Sequence, residues 1–265
     1  MSVAHHFTGK SVLVTGASAG IGRALALTLG RAGAHVGLVA RRADRLRAVV
    51  DALGPDARAT ILVGDVSDEV FVQEAVTTFV AEAGALDAVV NNAGISMNGL
   101  LEETETAVFQ RMMDVNYFGS LYVARHAAPH LKRSRGSLMF VSSIVGKRGF
   151  ATRSGYAASK FAVHALFESL RVEWADTGVH VGIVAPGYTD TEIRQVALGP
   201  DGRPTGDVGH TSGDVMTAED AAEAILRAAA RRRREVILTA GGNLMVWLNK
   251  LAPHLADRVA AKVVR

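Results

Sequence analysis

A short β-branched run, Ser11–Thr15 (SVLVT), passes directly into GASAGIG and then into the Ala/Leu-rich helical pattern RALALTLGRAG. Strand, glycine turn and helix with nothing between them is the unit from which parallel α/β sheets are built, because the helix must pack straight back across its strand. In such a unit Gly16 lets the chain turn sharply, Gly20 lets backbone approach an anionic group, and Gly22 permits close helix–strand packing. Ser18 and Ile21 lie in the same turn, and the free N–H groups of the helix N-terminus point toward whatever anion sits there. The spacing is GxxxGxG rather than GxGxxG. Alone it reads equally as a bare strand-to-helix turn; its context favours a dinucleotide site.

The alternation continues along the chain. His35–Ala40, Thr60–Gly64, Leu86–Val90, the apolar run ending at Ser143, Val179–Ala185 and Glu235–Thr239 read as further strands. Helical spacing appears from Asp68 to about Ala83, where Phe71, Ala75, Val76, Phe79 and Val80 read as core, and again from Ala218 to Arg233. The expected fold is a single α/β domain, a Rossmann-type doubly wound parallel sheet of about seven strands, with its site beyond the strands' carboxyl ends. That domain spans residues 1–242, and residues 243–265 form a C-terminal amphipathic extension. A chain of 265 residues buries a sizeable core.

Composition excludes several classes. With no cysteine the chain has neither a disulfide framework nor a thiolate metal site, and no metal is expected. MSVAHHFTGK lacks an apolar leader and no stretch approaches the roughly 18 apolar residues of a membrane span, so a cytoplasmic location is expected. Between Ile225 and Arg265, nine Lys/Arg face only Glu235 and Asp257, a net of +7, whereas the whole chain carries +3. The arginines Arg231–Arg234 read as a solvated helix end complementing the helix dipole rather than a nucleic-acid contact.

The stretch Ser142–Lys160 carries the chemistry. Tyr156 and Lys160, four residues apart, share a helix face, and a neighbouring ammonium is expected to pull the phenol's pKa down toward the working range. Tyr156 then serves as proton donor to a carbonyl oxygen, with Ser143 giving that oxygen a second hydrogen bond. A lone YxxxK also reads as a solvated lysine beside a half-buried tyrosine.

Thr15-Gly16-Ala17-Ser18-Ala19-Gly20-Ile21-Gly22, Asn91-Asn92-Ala93-Gly94, Asn116, Ser143, the Tyr156/Lys160 pair and Pro186-Gly187 together resemble the short-chain dehydrogenase/reductase family, in order and at the family's spacings over roughly residues 8–192. The resemblance implies hydride transfer between a nicotinamide cofactor and a carbonyl or alcohol, with catalytic Asn116, Ser143, Tyr156 and Lys160. Asn116, within a long helix, would hold through its backbone carbonyl a water that reaches Lys160. Lys160 would also bond the nicotinamide ribose. Asp65-Val66 would hold the adenine, and Asn92, Ala93 and Gly94 would let backbone pass the ribose, with Asn91 steadying the sheet. Pro186 and Gly187 end a strand, after which Thr189 and Thr191 would hold the carboxamide. The second strand ends in Ala40-Arg41-Arg42 with no acid to bind a ribose 2′-OH, and two guanidiniums suit a 2′-phosphate, so NADP(H) is the expected cofactor.

Residues about 187–215, rich in Gly, Pro, Asp and Thr toward their end, read as a substrate loop, with His210 exposed. Beyond Gly242 the chain departs from the family's commonest ending. Asn243–Val264 reads as one helix with Leu244, Trp247, Leu248, Leu251, Leu255 and Val259 in a stripe. Its expected role is hydrophobic association rather than catalysis: first with protein, either its own site or a homo-oligomer partner (dimer or tetramer), and second with a membrane surface. The substrate is a small carbonyl or alcohol, of lipidic character if the extension serves it. A catalytically silent NADP(H)-binding sensor is the competing reading.

Overall fold

The computed structural model describes residues 3–206 and 215–263; His210 lies outside them. Seven parallel strands form one sheet in the order β3-β2-β1-β4-β5-β6-β7. They are β1 (Ser11–Thr15), β2 (His35–Ala40), β3 (Ala59–Val63), β4 (Ala88–Asn91), β5 (Ser137–Val141), β6 (His180–Ala185) and β7 (Glu235–Ile237). The helices are α1 (Val3–Phe7), α2 (Gly20–Arg31), α3 (Ala43–Leu53), α4 (Glu69–Ala83), α5 (Thr106–Met112), α6 (Gly119–Ser134), α7 (Ser154–Glu173), α8 (Ala218–Ala230), α9 (Ala240–Leu251) and α10 (Pro253–Val263).

Strand periodicity explains the layers. Val12 and Val14 of β1 point to one face and pack with α2, α3 and α8, while Leu13 points to the other and packs with α4, α6 and α7. Covered on both faces, β1, β2, β4 and β6 are buried along their whole length, whereas the edge strands β3 and β7 are only partly so. Phe79, Phe140 and Phe167 are fully buried in the second layer, and truncating any one to alanine costs about 3–5 kcal/mol. Asp68 caps α4, its carboxylate accepting from the N–H groups of Val70 and Phe71. The sheet order reverses between β1 and β4, and the crevice above that switch point is where such a sheet binds ligands.

Two expectations need correction. Asn116 does not lie in a continuous α-helix: Met113–Phe118 is a π-helical segment between α5 and α6. The C-terminal extension is two helices rather than one. The first starts at Ala240, where the Thr239 hydroxyl caps the Gly242 N–H at 3.2 Å, and it ends before Pro253, which has no N–H to continue a helix.

Candidate active site

All the residues singled out above for catalysis or cofactor binding, except Gly22 and Asn116, line one cleft of about 930 Å³ beyond the carboxyl ends of the strands. The glycine turn forms its floor. Gly16 adopts φ +69°, and a Cβ there would fall 2.9 Å from Asn92 Nδ2; at Gly22 a Cβ would sit 2.1 Å from the Gly16 carbonyl oxygen. Thr15 Oγ1 accepts from the backbone N–H groups of Asn92 and Ala93, and Asn92 Nδ2 donates to the Thr15 carbonyl, each at 2.9 Å. These bonds clamp β1 to the loop after β4. Thr15 was read from the sequence only as the end of the strand and the start of the glycine motif, with no role in the site; its signal is a hydroxyl closing an apolar strand. Asn91 donates instead to the Ser120 carbonyl at 2.9 Å, tying β4 to α6. No side chain caps α2, so its first-turn N–H groups remain for an anion.

A cluster of guanidiniums sits beside this turn. Arg42 donates through Nε and Nη2 to Ser18 Oγ at 3.4 and 3.2 Å, and Arg41 lies 3.5 Å from an Asp65 oxygen. Glu192, from the loop after β6, reaches across to Arg42 at 3.1 Å and to Arg45 at shorter range. Arg45 first and then Arg42 hold the Glu192 carboxyl below the usual range, against partial desolvation. Burial raises the pKa of Asp65, but hydrogen bonds from Ser67 and the charges of Arg41 and Arg111 outweigh it and leave the group lowered. Thr191 packs on Gly20, its Cβ 3.0 Å from where a Cβ on that glycine would stand. Thr189 is held by backbone pairing with Met216, and Ile144 N–H donates to the Pro186 carbonyl at 3.2 Å.

The proton-handling group lies on the other side. Ser143 caps the short 3₁₀ turn Ile144–Gly146, its hydroxyl accepting from Val145 N–H at 3.3 Å, and both Ser143 and Tyr156 line the cleft. Tyr156 occupies the first turn of α7 and is buried; Lys160, one turn on, is buried with Nζ 5.9 Å from the tyrosine ring centroid and 3.1 Å from the Val141 carbonyl it donates to. The pKa expectation is overturned for the protein groups by themselves. Desolvation pushes Tyr156 up, opposed by Ser143 and by the charge of Arg153, while desolvation lowers Lys160 to about 8. Burial disfavours the charged form of each, so the phenol stays a neutral donor. Asn116 is fully buried: its side chain accepts from Ile95 N–H at 2.8 Å and donates to the Ile95 carbonyl at 3.0 Å and to Ser159 Oγ at 2.9 Å. Ser159 in turn donates to the Tyr156 carbonyl at 2.8 Å. Asn116 thus ties the loop after β4 to the tyrosine's helix through its side chain, and its backbone carbonyl accepts from the Ser120 hydroxyl at 2.6 Å.

The short chain dehydrogenase family pattern matches residues 10–199. The chain belongs to the short-chain dehydrogenase/reductase family. It is 37% identical over 260 residues to a dehydrogenase/reductase SDR family protein 7-like of Anopheles gambiae, covering 95% of this chain and 82% of that one. It is 35% identical over 254 residues to dehydrogenase/reductase SDR family member 7B of Xenopus laevis, covering 92% and 78%. Among solved structures it resembles an alcohol dehydrogenase of the archaeon Thermococcus sibiricus complexed with 5-hydroxy-NADP (TM-score 0.75, 28% identity, 86% of this chain and 95% of that). It also resembles a dehydrogenase/reductase of Sinorhizobium meliloti (TM-score 0.79, 29% identity, 91% and 98%).

Further contacts of this short-chain dehydrogenase surround the cleft. Thr152 sits at φ +61°, unusual for a β-branched residue, and its carbonyl accepts from Gly99 N–H at 3.0 Å. Arg153 reaches the Ser96 hydroxyl at 3.2 Å and the Met97 carbonyl. Arg148 joins the loop carrying Ser143 to both C-terminal helices, donating to Asn249 Oδ1 at 2.8 Å and pairing with Asp257. Met245 of α9 lines the cleft, so the extension contributes to the wall of the site.

Proposed function

We propose that this dehydrogenase/reductase uses NADP(H) to interconvert a carbonyl group and a secondary alcohol, with Tyr156 exchanging the proton at the substrate oxygen. The observation that carries this reading is one cleft with Ser18, Arg41 and Arg42 at one end and, at the other, Ser143 and a buried Tyr156 whose ring centroid lies 5.9 Å from Lys160 Nζ. The residues fit the cofactor: a side chain at Gly16 would close the space beside Asn92, α2 offers uncapped N–H groups, and the donors at the end of β2 suit a phosphate dianion. The complex of the archaeal relative with 5-hydroxy-NADP supports the choice.

When bound, the nicotinamide group supplies or accepts the hydride. The chain's own residues do the rest. Ser143 and Tyr156 present two donors to one substrate oxygen, which stabilises developing negative charge there. Tyr156, kept neutral by burial, gives its proton in the reducing direction, and Lys160, with a pKa near 8, is still largely charged at neutral pH to steady the resulting phenolate. Asn116 and Ser159 fix the turn that carries Tyr156. Ile193, Val196 and Met245, which line the cleft, exclude water from it, and the protein acts in the cytoplasm.

The test is cofactor oxidation with a panel of aromatic and aliphatic ketones and aldehydes. Turnover with NADPH in preference to NADH is expected for at least one class. Tight NADPH binding without turnover of any carbonyl, or of any alcohol in reverse, would leave a silent binding protein and end this reading.

A further inference from the structure

The two C-terminal helices pack on each other and on the domain through Val246, Ala256 and Ala260, all buried, while Met245 faces the cleft. The opposite side stays bare. Leu244, Trp247 and Leu251 recur on one face of α9 and are 68%, 60% and 79% exposed; Leu255 of α10 is 50% exposed. An apolar row of this size stays uncovered on few soluble surfaces. Its surroundings say what covers it. Lys250 places its ammonium 5.6 Å from the Trp247 ring, and Arg258 is exposed on α10; the one acidic side chain of the pair, Asp257, is engaged by Arg148. On the same cleft the arrangement repeats, with an exposed Tyr188 under the guanidinium of Arg194 at 5.3 Å and an exposed Val196, all three lining the cleft as Met245 does. Aromatic rings beside cations whose stems lie along apolar surface belong where hydrocarbon meets charged headgroups. A two-fold contact with a second copy fits less well, because an isologous interface sets Lys250 and Arg258 against the same cations with no free carboxylate on either helix. No helix among the described residues is long and apolar enough to cross a membrane, so contact is along the surface.

We propose that α9 and α10 dock this protein on an anionic lipid surface, with the mouth of the cleft toward the bilayer. A substrate partitioned into that surface then enters without crossing bulk water.

The protein reports on itself. It has two tryptophans, and Trp174 is 6% exposed, so changes in intrinsic emission follow Trp247. The full chain is mixed with vesicles of phosphatidylcholine alone or of an equimolar mixture with phosphatidylglycerol, and emission and co-sedimentation are measured. A blue shift and co-sedimentation with the anionic vesicles are expected, roughly thirtyfold tighter than with neutral ones for two cations and weakening with added salt. Trp247→Ser with Leu251→Ser changes exposed positions and leaves the core intact; it abolishes co-sedimentation while NADPH affinity and unfolding temperature stay at wild-type values. Lys250→Glu with Arg258→Glu reduces binding to the neutral-vesicle level. No shift with either vesicle, or equal binding to both, overturns the proposal. So does a wild-type dimer that Trp247→Ser/Leu251→Ser splits, since a second copy then covers the face. None of these readouts requires turnover, so this proposal and the reaction assignment fail separately.

Discussion

Around the glycine turn, tight geometry falls on residues that bear it easily: Gly16 and Gly20 take positive φ, and the buried Thr15 hydroxyl accepts two backbone hydrogen bonds. Around Tyr156 the opposite holds. Thr152 adopts φ +61° with a β-branched side chain, and the Ser142 hydroxyl and both ring nitrogens of His164 are buried without a hydrogen-bond partner among the described residues. Tyr156 and Lys160 are both desolvated, which disfavours the charged form of each. One end of the cleft offers guanidiniums and uncapped N–H groups, and its Thr15 and Ser18 hydroxyls are hydrogen-bonded. At the other, burial keeps a phenol neutral and lowers an amine's pKa to about 8, a combination that folding alone would avoid and that the proposed proton exchange would use.

If that contrast is right, removing one oxygen at the catalytic end abolishes chemistry and leaves binding alone. Tyr156→Phe is expected to lower kcat by on the order of a hundredfold or more, the range of a lost general acid, while the NADPH dissociation constant measured by fluorescence titration stays within about twofold. Retention of more than about a tenth of wild-type kcat, only ~1.4 kcal/mol of barrier, would remove Tyr156 from the proton step. The reciprocal change acts at the other end. Arg41→Asp with Arg42→Ala is expected to turn the preference from NADPH to NADH, since losing each charge-assisted phosphate bond costs roughly 1.5–3 kcal/mol, with kcat on the preferred cofactor nearly kept. Equal affinity of the wild type for both cofactors would contradict the assignment of these arginines.

The binding end was the more legible of the two in the sequence, for a physical reason. Glycine spacing and a missing acid are local signals, so the turn at Gly16–Gly22 and the pair Arg41/Arg42 could be read from adjacent residues, and β1 and β2 match their expected limits. Tyr156, Ser143 and Lys160 were also visible as residue types. Their protonation was not, because desolvation depends on what distant segments bury. Glu192 and Arg148 were missed altogether: their partners are 150 and 101 residues away, and nothing in their neighbourhoods marks them. The break at Pro253 was legible and outweighed by the regular leucine spacing on either side; proline's missing N–H decides over periodicity.

His164 sharpens the comparison through pH. Burial, reinforced by the charges of Lys147 and Lys160, lowers its pKa to about 3, so the folded ring stays neutral where the unfolded ring titrates at the ordinary value of 6.5. The unfolded state therefore binds the extra proton between those values. Stability is full above 6.5 and is lost progressively as pH falls toward 3, by roughly 2 kcal/mol at about pH 5 from this group. His164→Leu, which also removes two unpartnered nitrogens, is expected to be as stable as wild type or more so at neutral pH and to lose less on acidification, measured by urea unfolding at a series of pH values. Parallel pH profiles for the two proteins would show that the catalytic end carries no such penalty at this position.

Glu192 gives the smallest effect and tests whether the two ends communicate. Its carboxylate, on the loop that follows β6, holds Arg42 and Arg45, and Arg42 is one of the donors proposed for a 2′-phosphate. A phosphate dianion drawn to that arginine meets like charge, so the two compete. Binding of NADPH is then expected to release the loop's anchor at Glu192, whereas NADH, with no phosphate there, is expected to leave it in place. These are exposed ion pairs, worth about 0.2–1 kcal/mol, so Glu192→Gln should tighten NADPH by no more than roughly fivefold and leave NADH affinity unchanged. Hydrogen exchange of residues 188–196 in the wild type should rise on adding NADPH and not on adding NADH, and in Glu192→Gln should be fast from the start. Weaker NADPH binding in that variant would mean that the carboxylate positions the arginines for the phosphate instead of competing with it, and the loop would then close with the cofactor rather than open.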